Sequence, residues 1–287
     1  MKRFLLSLAL VAPLLVNAQR HHEVGIFAGA SNYRGDLQDK WFPEYGYKPN
    51  VGLLYKYFMN PRVGIRLGMN YTKLTAADSL SDIAVKQIRN LRFETNLFEM
   101  HAGLEINLLG VDLERSKVSP YIFGGLSVFY FDPYTDGVKG EKVMLRPLST
   151  EGQGMAEYPD RKPYSKVNVA FPFGGGLKFF IGRTLMITTE LGLRYTATDY
   201  LDDVSRSYVD YYNLMEARGE QSVDLSYRSD ELRGNEHQNY PGYGFQRGDS
   251  KANDWYLFGG LGITVYFDAF SNVRTYWQSK CPGVFGR

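Results

Sequence analysis

The chain has 287 residues, a formal net charge of +2, 30 Gly and 22 Tyr, and aromatic residues make up 15% of it. A near-neutral balance without a basic stripe excludes nucleic acid as the expected partner. One cysteine, Cys281, excludes an internal disulfide framework.

The chain opens Met1-Lys2-Arg3, continues with an apolar run from Phe4 to Val16 and reaches Val16-Asn17-Ala18. That order of charged, apolar and small residues is that of a signal peptide, so residues 1–18 are expected to be removed after Ala18. Gln19 stands where a lipid-attached protein would carry cysteine. Beyond it no run approaches the roughly 18 to 20 apolar residues of a membrane helix. Any membrane span therefore has to be a closed barrel, because lipid leaves every other backbone arrangement with unpaired polar groups.

Alternation of apolar and polar residues, the mark of a strand with two unlike faces, recurs through residues 19–267. The first segments are His22 to Ser31 and Asn50 to Phe58. From Arg62 to Lys73 one face carries Val63, Ile65, Leu67, Met69 and Tyr71, and the other Arg62, Gly64, Arg66, Gly68, Asn70 and Thr72. Glu94 to Leu108 sets Phe98, Met100, Ala102, Leu104 and Ile106 against Glu99, His101, Gly103, Glu105 and Asn107. Pro120 to Phe131 and Val167 to Ile181 alternate more weakly. Thr184 to Thr196 sets Leu185, Ile187, Leu191, Leu193 and Tyr195 against Glu190, Gly192 and Arg194, and Asp254 to Phe267 completes the set. The pattern predicts an all-β fold, an antiparallel transmembrane β-barrel of about eight strands.

The connections agree. Long ones, Asn32 to Pro49, Leu74 to Leu91, Asp132 to Lys166 and Ala197 to Asn253, alternate with short ones at Met59-Asn60-Pro61, Leu109 to Ser119 and Gly182-Arg183. Outer-membrane barrels have long extracellular loops and short periplasmic turns, which places both ends of the chain in the periplasm. A barrel this narrow fills its lumen with side chains. Glu23, Lys56, Arg62, Arg66, Glu99, His101, Glu105, Lys178, Glu190 and Arg194 are predicted to face inward, their signs close to balance, as a structural salt-bridge network. Tyr55, Tyr57, Tyr71, Tyr130, Tyr195, Trp255 and Tyr266 suit aromatic girdles at the two interfaces.

Gly124-Gly125, Gly174-Gly175-Gly176 and Gly259-Gly260-Leu261-Gly262 lie within strands and open no helix, so they read as bends or room for lumen side chains, not phosphate loops. His21, His22, His101 and His237 form no compact metal-ligand set. Asp202-Asp203 lacks the alternate-residue spacing of a calcium loop. No catalytic residue, metal, cofactor or small-molecule substrate is expected.

The stretch from Glu23 to Leu37, in which a Gly-rich strand leads into Tyr33-Arg34-Gly35-Asp36-Leu37, resembles the opening of the PorG family, the small barrel component of the type IX secretion system of Bacteroidetes. Lys48-Pro49-Asn50-Val51-Gly52, Met59-Asn60-Pro61-Arg62 and Lys280-Cys281-Pro282 are similar to its pattern as well, with Tyr33, Gly35, Asp36 and Leu37 as the family motif. The resemblance implies a non-enzymatic role that anchors or organises the periplasmic ring of the lipoprotein PorK and its partner PorN at the outer membrane. Residues 268–287 would be the periplasmic tail, with Arg274, Tyr276, Trp277 and Lys280 as partner-binding residues. Cys281, an unpaired thiol in an oxidising compartment, is expected either to form an intermolecular disulfide or to be a spare thiol. Two other functions stay open: a structural or adhesive barrel that displays surface loops, and a lipid-modifying barrel enzyme, for which no outward catalytic pair is found.

Overall fold

Any open sheet edge leaves a row of unpaired backbone groups, and the strands of this chain remove both edges by closing on themselves. The computed structural model describes residues 21–109, 118–137, 139–181, 184–232 and 239–267. Its strands are β1 (His21–Arg34), β2 (Lys48–Phe58), β3 (Val63–Ala77), β4 (Arg92–Asn107), β5 (Val118–Asp136), the short β6 (Lys142–Met144), β7 (Val167–Ile181), β8 (Leu185–Thr196) and β9 (Trp255–Phe267). Leaving β6 aside, eight strands pair antiparallel in chain order, and β1 pairs with β9 from His22↔Phe267 to Arg34↔Trp255, which closes the barrel. β6 adds to the end of β5 at the long-loop side.

The expected outward face is outward. Val24, Ile26, Val51, Leu53, Ile65, Leu67, Met100, Leu126, Val128, Phe171 and Leu261 are all exposed, in a continuous apolar belt. Of the expected girdle residues, Tyr55, Tyr71, Tyr130 and Tyr195 are exposed at the belt's margins. Tyr266 is a correction: its place in the alternation of β9 turns it inward, where its ring stacks on His21 at 4.5 Å.

Several strands outrun the predicted segments at the long-loop end, and the reason is chemical. There the alternation continues with its sense inverted. On β3 and β4 the inward residues become Leu74, Phe93 and Leu97, all buried, while Lys73, Thr75 and Glu94 point out. Below this level the barrel is polar inside and apolar outside; above it the barrel has the section of a water-soluble protein.

The long loops build a folded cap on the upper rim. It contains helices α1 (Ala84–Arg89), α2 (Tyr211–Arg218) and α3 (Glu220–Ser226), none of which the alternation reading anticipated. Asp210 caps α2, its side chain accepting from the backbone N–H groups of Tyr212 and Asn213.

Closure also needs close backbone approach across the lumen face. Gly29 faces Gly260 across the β1–β9 seam, and a Cβ on either would collide with the opposite strand's backbone. Gly103↔Gly125 repeats the arrangement between β4 and β5, and between β7 and β8 a Cβ on Gly174 would meet the backbone of Leu191 and Gly192. Gly29→Val is therefore expected to reduce several-fold the fraction of refolded protein with compact, heat-sensitive migration on unheated SDS gels. Ala28→Val, on the outward face, should migrate as wild type; equal behaviour of the two variants would refute the seam argument.

Candidate functional site

The lumen is built by inward positions of all eight long strands, and at the short-turn end it starts with a lid. His21 stacks on Phe58 at 4.6 Å and on Tyr266 at 4.5 Å, with its Nε2 3.3 Å from Glu23. Above it Glu23 accepts from Lys178 Nζ at 3.1 Å through each carboxylate oxygen. Glu105 lies 2.7 Å from Lys56 and 2.7 Å from Lys178. Arg66 donates to both oxygens of Glu190, at 2.7 and 2.6 Å, and the Tyr121 hydroxyl donates to Glu190 at 2.9 Å. Such two-pronged pairing is the strongest form a guanidinium and a carboxylate adopt.

Higher up, Glu99 accepts from Arg194 Nε at 3.3 Å, from the Tyr256 hydroxyl at 2.6 Å and from Asn70 at 3.0 Å. His101 spans the two halves of the network, with Nδ1 3.2 Å from Glu99 and Nε2 accepting from Arg66 Nε at 3.2 Å. An Nε2 that accepts from Arg66 carries no proton, so in this arrangement the imidazole's hydrogen sits on Nδ1, toward Glu99. Four carboxylates, Glu23, Glu99, Glu105 and Glu190, thus face four cations, Lys56, Arg66, Lys178 and Arg194, all of them buried. Aromatic faces cover the cations as well: Phe123 lies 4.0 Å from Arg66, Phe258 4.1 Å from Arg194 and Phe58 4.3 Å from Lys178.

Arg62, expected in this network, is not part of it. Asn60 Oδ1 accepts from the backbone N–H groups of Arg62 and Val63 at 2.9 and 2.8 Å, which holds Arg62 in the turn before β3 begins. Its side chain is exposed. The tail residues Arg274, Tyr276, Trp277, Lys280 and Cys281, the 1–18 segment and the Gly182-Arg183 turn lie outside the described residues.

Beside the upper ions and above them lies an apolar core, with Phe27, Leu54, Phe129, Phe131 and Phe258 among its members, and it runs without a break into Leu37, Leu91, Leu145, Leu201 and Val204 of the cap. Cap and barrel thus share one core. Two buried ion pairs brace it. Arg89 grips Asp78 through two bonds of 2.6 and 2.7 Å and also donates to the Arg247 carbonyl. Arg247 pairs with Glu151 at 3.0 Å, and Glu151 accepts backbone N–H groups from Ser205 and Arg206.

The motif Tyr33-x-Gly35-Asp36-Leu37 lies where these parts meet. The Tyr33 hydroxyl is 2.7 Å from Asp202 Oδ2 and 2.8 Å from Asp254 Oδ1. Leu37 N–H donates to Asp202, and Asp36 accepts the Asp249 N–H through both oxygens. Gly35 has no room for a Cβ, because Asp254 and the Tyr33 hydroxyl press against it. Burial drives the carboxyls here upward, Asp202 to about 8, Asp199 to about 9 and Asp36 to about 6. Asp254 is pushed well above the usual carboxylate range, by burial first and by Asp202 second. Asp203, raised by burial to about 6, accepts from Thr150 and Tyr164 at 2.6 Å each. The local spacing of Asp202-Asp203 speaks only to a calcium loop, which it does not fit; the partners that hold the two acids lie far off in the chain.

Residues 1–220 match the family model of a domain of unknown function, DUF6089. The chain belongs to the DUF6089 family. The match takes in β1 to β8 and ends short of β9, so the seam strand and Asp254 lie beyond it. No curated protein matches this DUF6089 chain. Among solved structures it is similar to Neisserial surface protein A at 10% identity and a TM-score of 0.42, over 86% of this chain and 97% of that one. It is similar to the attachment invasion locus protein Ail of Yersinia pestis at 11% identity and a TM-score of 0.40, over 86% and 99%. OprG of Pseudomonas aeruginosa is 9% identical with a TM-score of 0.37, over 88% and 99%.

The lumen makes a quantitative demand. Arg194 relies on Glu99, so Glu99→Gln leaves a buried guanidinium without its counter-charge and is expected to cost about 3–5 kcal/mol. Denaturant unfolding in detergent measures it. The double variant Glu99→Gln with Arg194→Met should recover most of the loss, and a single variant as stable as wild type would show the network to be dispensable.

Proposed function

We propose that this DUF6089 protein is a non-enzymatic outer-membrane barrel of the type IX protein secretion system, with its loops extracellular and its ends periplasmic. In this reading it anchors or organises the PorK and PorN ring through residues 268–287. The observation that carries the anchoring role is the filled lumen. Ions paired in place among apolar side chains make the described lumen a packed core and not an open channel, which favours a structural role. What remains useful is a barrel seated in lipid, with a folded cap at one end and, at the other, the end of β9 at Phe267, from which residues 268–287 continue. The apolar belt with tyrosines at its margins supports the membrane seat, since lipid tails and interfaces select that distribution. The choice of secretion system rests on the resemblance at Tyr33, Gly35, Asp36 and Leu37 and at Lys280-Cys281-Pro282.

A second reading, an adhesive barrel, is favoured by one observation: Phe42, Tyr45, Tyr212, Tyr243 and Phe245 stand exposed on the cap, and exposed aromatics are typical of contact surfaces.

Crosslinked outer membranes, solubilised mildly and pulled down by a tag in the 197–253 loop, separate the two. Recovery of a ring lipoprotein that is lost when residues 268–287 are removed is the expected result. Unchanged recovery without the tail, or secretion that continues in a deletion strain, sinks the anchoring role and leaves the adhesive one. On non-reducing gels Cys281→Ser should abolish a higher-mass band if the thiol pairs with the ring.

A further inference from the structure

The contact at Tyr33 contains a shortage of hydrogen. One phenolic hydrogen stands between two carboxyl oxygens, Asp202 Oδ2 at 2.7 Å and Asp254 Oδ1 at 2.8 Å, and a hydroxyl can donate to only one of them. If both acids were ionised, one carboxylate oxygen would face the phenol's oxygen with nothing between them. Leu37 N–H also reaches Asp202 Oδ2, at 3.3 Å, but it approaches beside the phenol and places no hydrogen between the two oxygens. The other donors serve the far oxygens. Asp202 Oδ1 accepts from Val204 N–H at 3.0 Å, and Asp254 Oδ2 from Leu201 N–H at 2.9 Å. Both acids are buried, with 2% and 0% of their surface exposed.

The charged groups that face the pair make the shortage worse. Asp36, from the turn after β1, faces Asp202, and Asp199, from the same loop as Asp202, faces Asp254; both are acidic, and Glu151 of the β5–β7 connection lies behind Asp199. Arg89 of α1 is the cation that faces Asp202, and its guanidinium is already held by Asp78.

We propose that the cap is clasped by a proton. Asp202 and Asp254 share one hydrogen beyond that of Tyr33, and its loss to solvent releases the 197–253 loop from the barrel mouth. The contact joins β1, the turn after it, the 197–253 loop and the start of β9, so its opening uncovers the apolar surface of Leu37, Leu201 and Val204.

The direction with pH follows from linkage. In the open cap the acids are solvated and titrate near the ordinary value of about 4. The closed cap retains the proton to higher pH, the Asp202 carboxyl being raised to about 8. Between those limits the closed form holds more protons, so the ratio of closed to open falls by about tenfold per pH unit for each proton held. It is greatest below the ordinary carboxylate range and loses nothing further once the closed form has itself ionised.

The test is limited proteolysis of the full chain in detergent between about pH 5 and 8, following cleavage within residues 197–253 and normalising to an unfolded substrate at each pH. The wild-type rate is expected to rise by about tenfold per pH unit or more. Asp254→Asn is the cleanest variant, because its amide can donate to the Tyr33 oxygen while its carbonyl accepts from Leu201. It should lower the slope by about one decade per pH unit and keep the cap closed, with barrel folding checked on unheated gels. Asp202→Asn should lower the slope similarly. A flat wild-type profile overturns the proposal, as does a slope that both variants leave unchanged or rapid cutting of Asp254→Asn at every pH.

Discussion

Four carboxylates and four cations share a lumen too narrow for water to solvate them, and the rest of the barrel is arranged around keeping that set neutral. Each ion removed from water costs several kcal/mol unless an opposite charge and further hydrogen bonds replace its hydration. This is why the lumen side chains are tied to more than one partner. Glu105 touches Lys56, Lys178 and Arg66, and Glu99 collects Arg194, Tyr256, Asn70 and His101. It is also why small residues recur on the inner face. Gly192 makes room for Arg194 and Phe123, and Gly68 for His101, where any side chain would push the charged partners apart.

The cap answers a different constraint. Above the apolar belt the barrel has a dry interior and a wet exterior, and the loops must finish a core that the strands leave open at the top. Leu37, Leu91, Leu145 and Leu201 supply that closure from separate connections. The Tyr33-to-Leu37 motif belongs to this task and not to the membrane. Its tyrosine, glycine, aspartate and leucine each touch or accommodate residues brought from the last loop or from the start of β9. A motif noticed by resemblance thereby acquires a physical reason.

How much of this was readable in advance depended on whether the cause was local. The barrel was legible because a face turned to lipid and a face turned to ions differ at every second residue, as from Val63 to Tyr71. The strand ends were not, because the inversion at Leu74 and Phe93 looks like the loss of a pattern. Arg62 has the right place in the alternation and the wrong fate, since Asn60 holds the turn that contains it. The cap was illegible for a stronger reason. Tyr33 and Asp202 stand 169 residues apart in the chain, and α1, only six residues long, depends on Arg89 reaching Asp78 and Arg247. The cap of α2 by Asp210 is the exception, a local signal that was present and could have been read.

The inversion of the strands has a consequence for how the molecule reaches its final form. If the belt sits in lipid, the loop segments cannot cross it folded, because the cap carries buried ion pairs and a core of its own. With the capped end outside the cell, as proposed, they have to be threaded through as extended chain and to condense beyond the membrane, with Arg89, Arg247 and Tyr33 finding their partners only after the strands have paired. Withdrawal would then first require the cap to unfold, so the folded loops act as a ratchet beside the grip of the lipid.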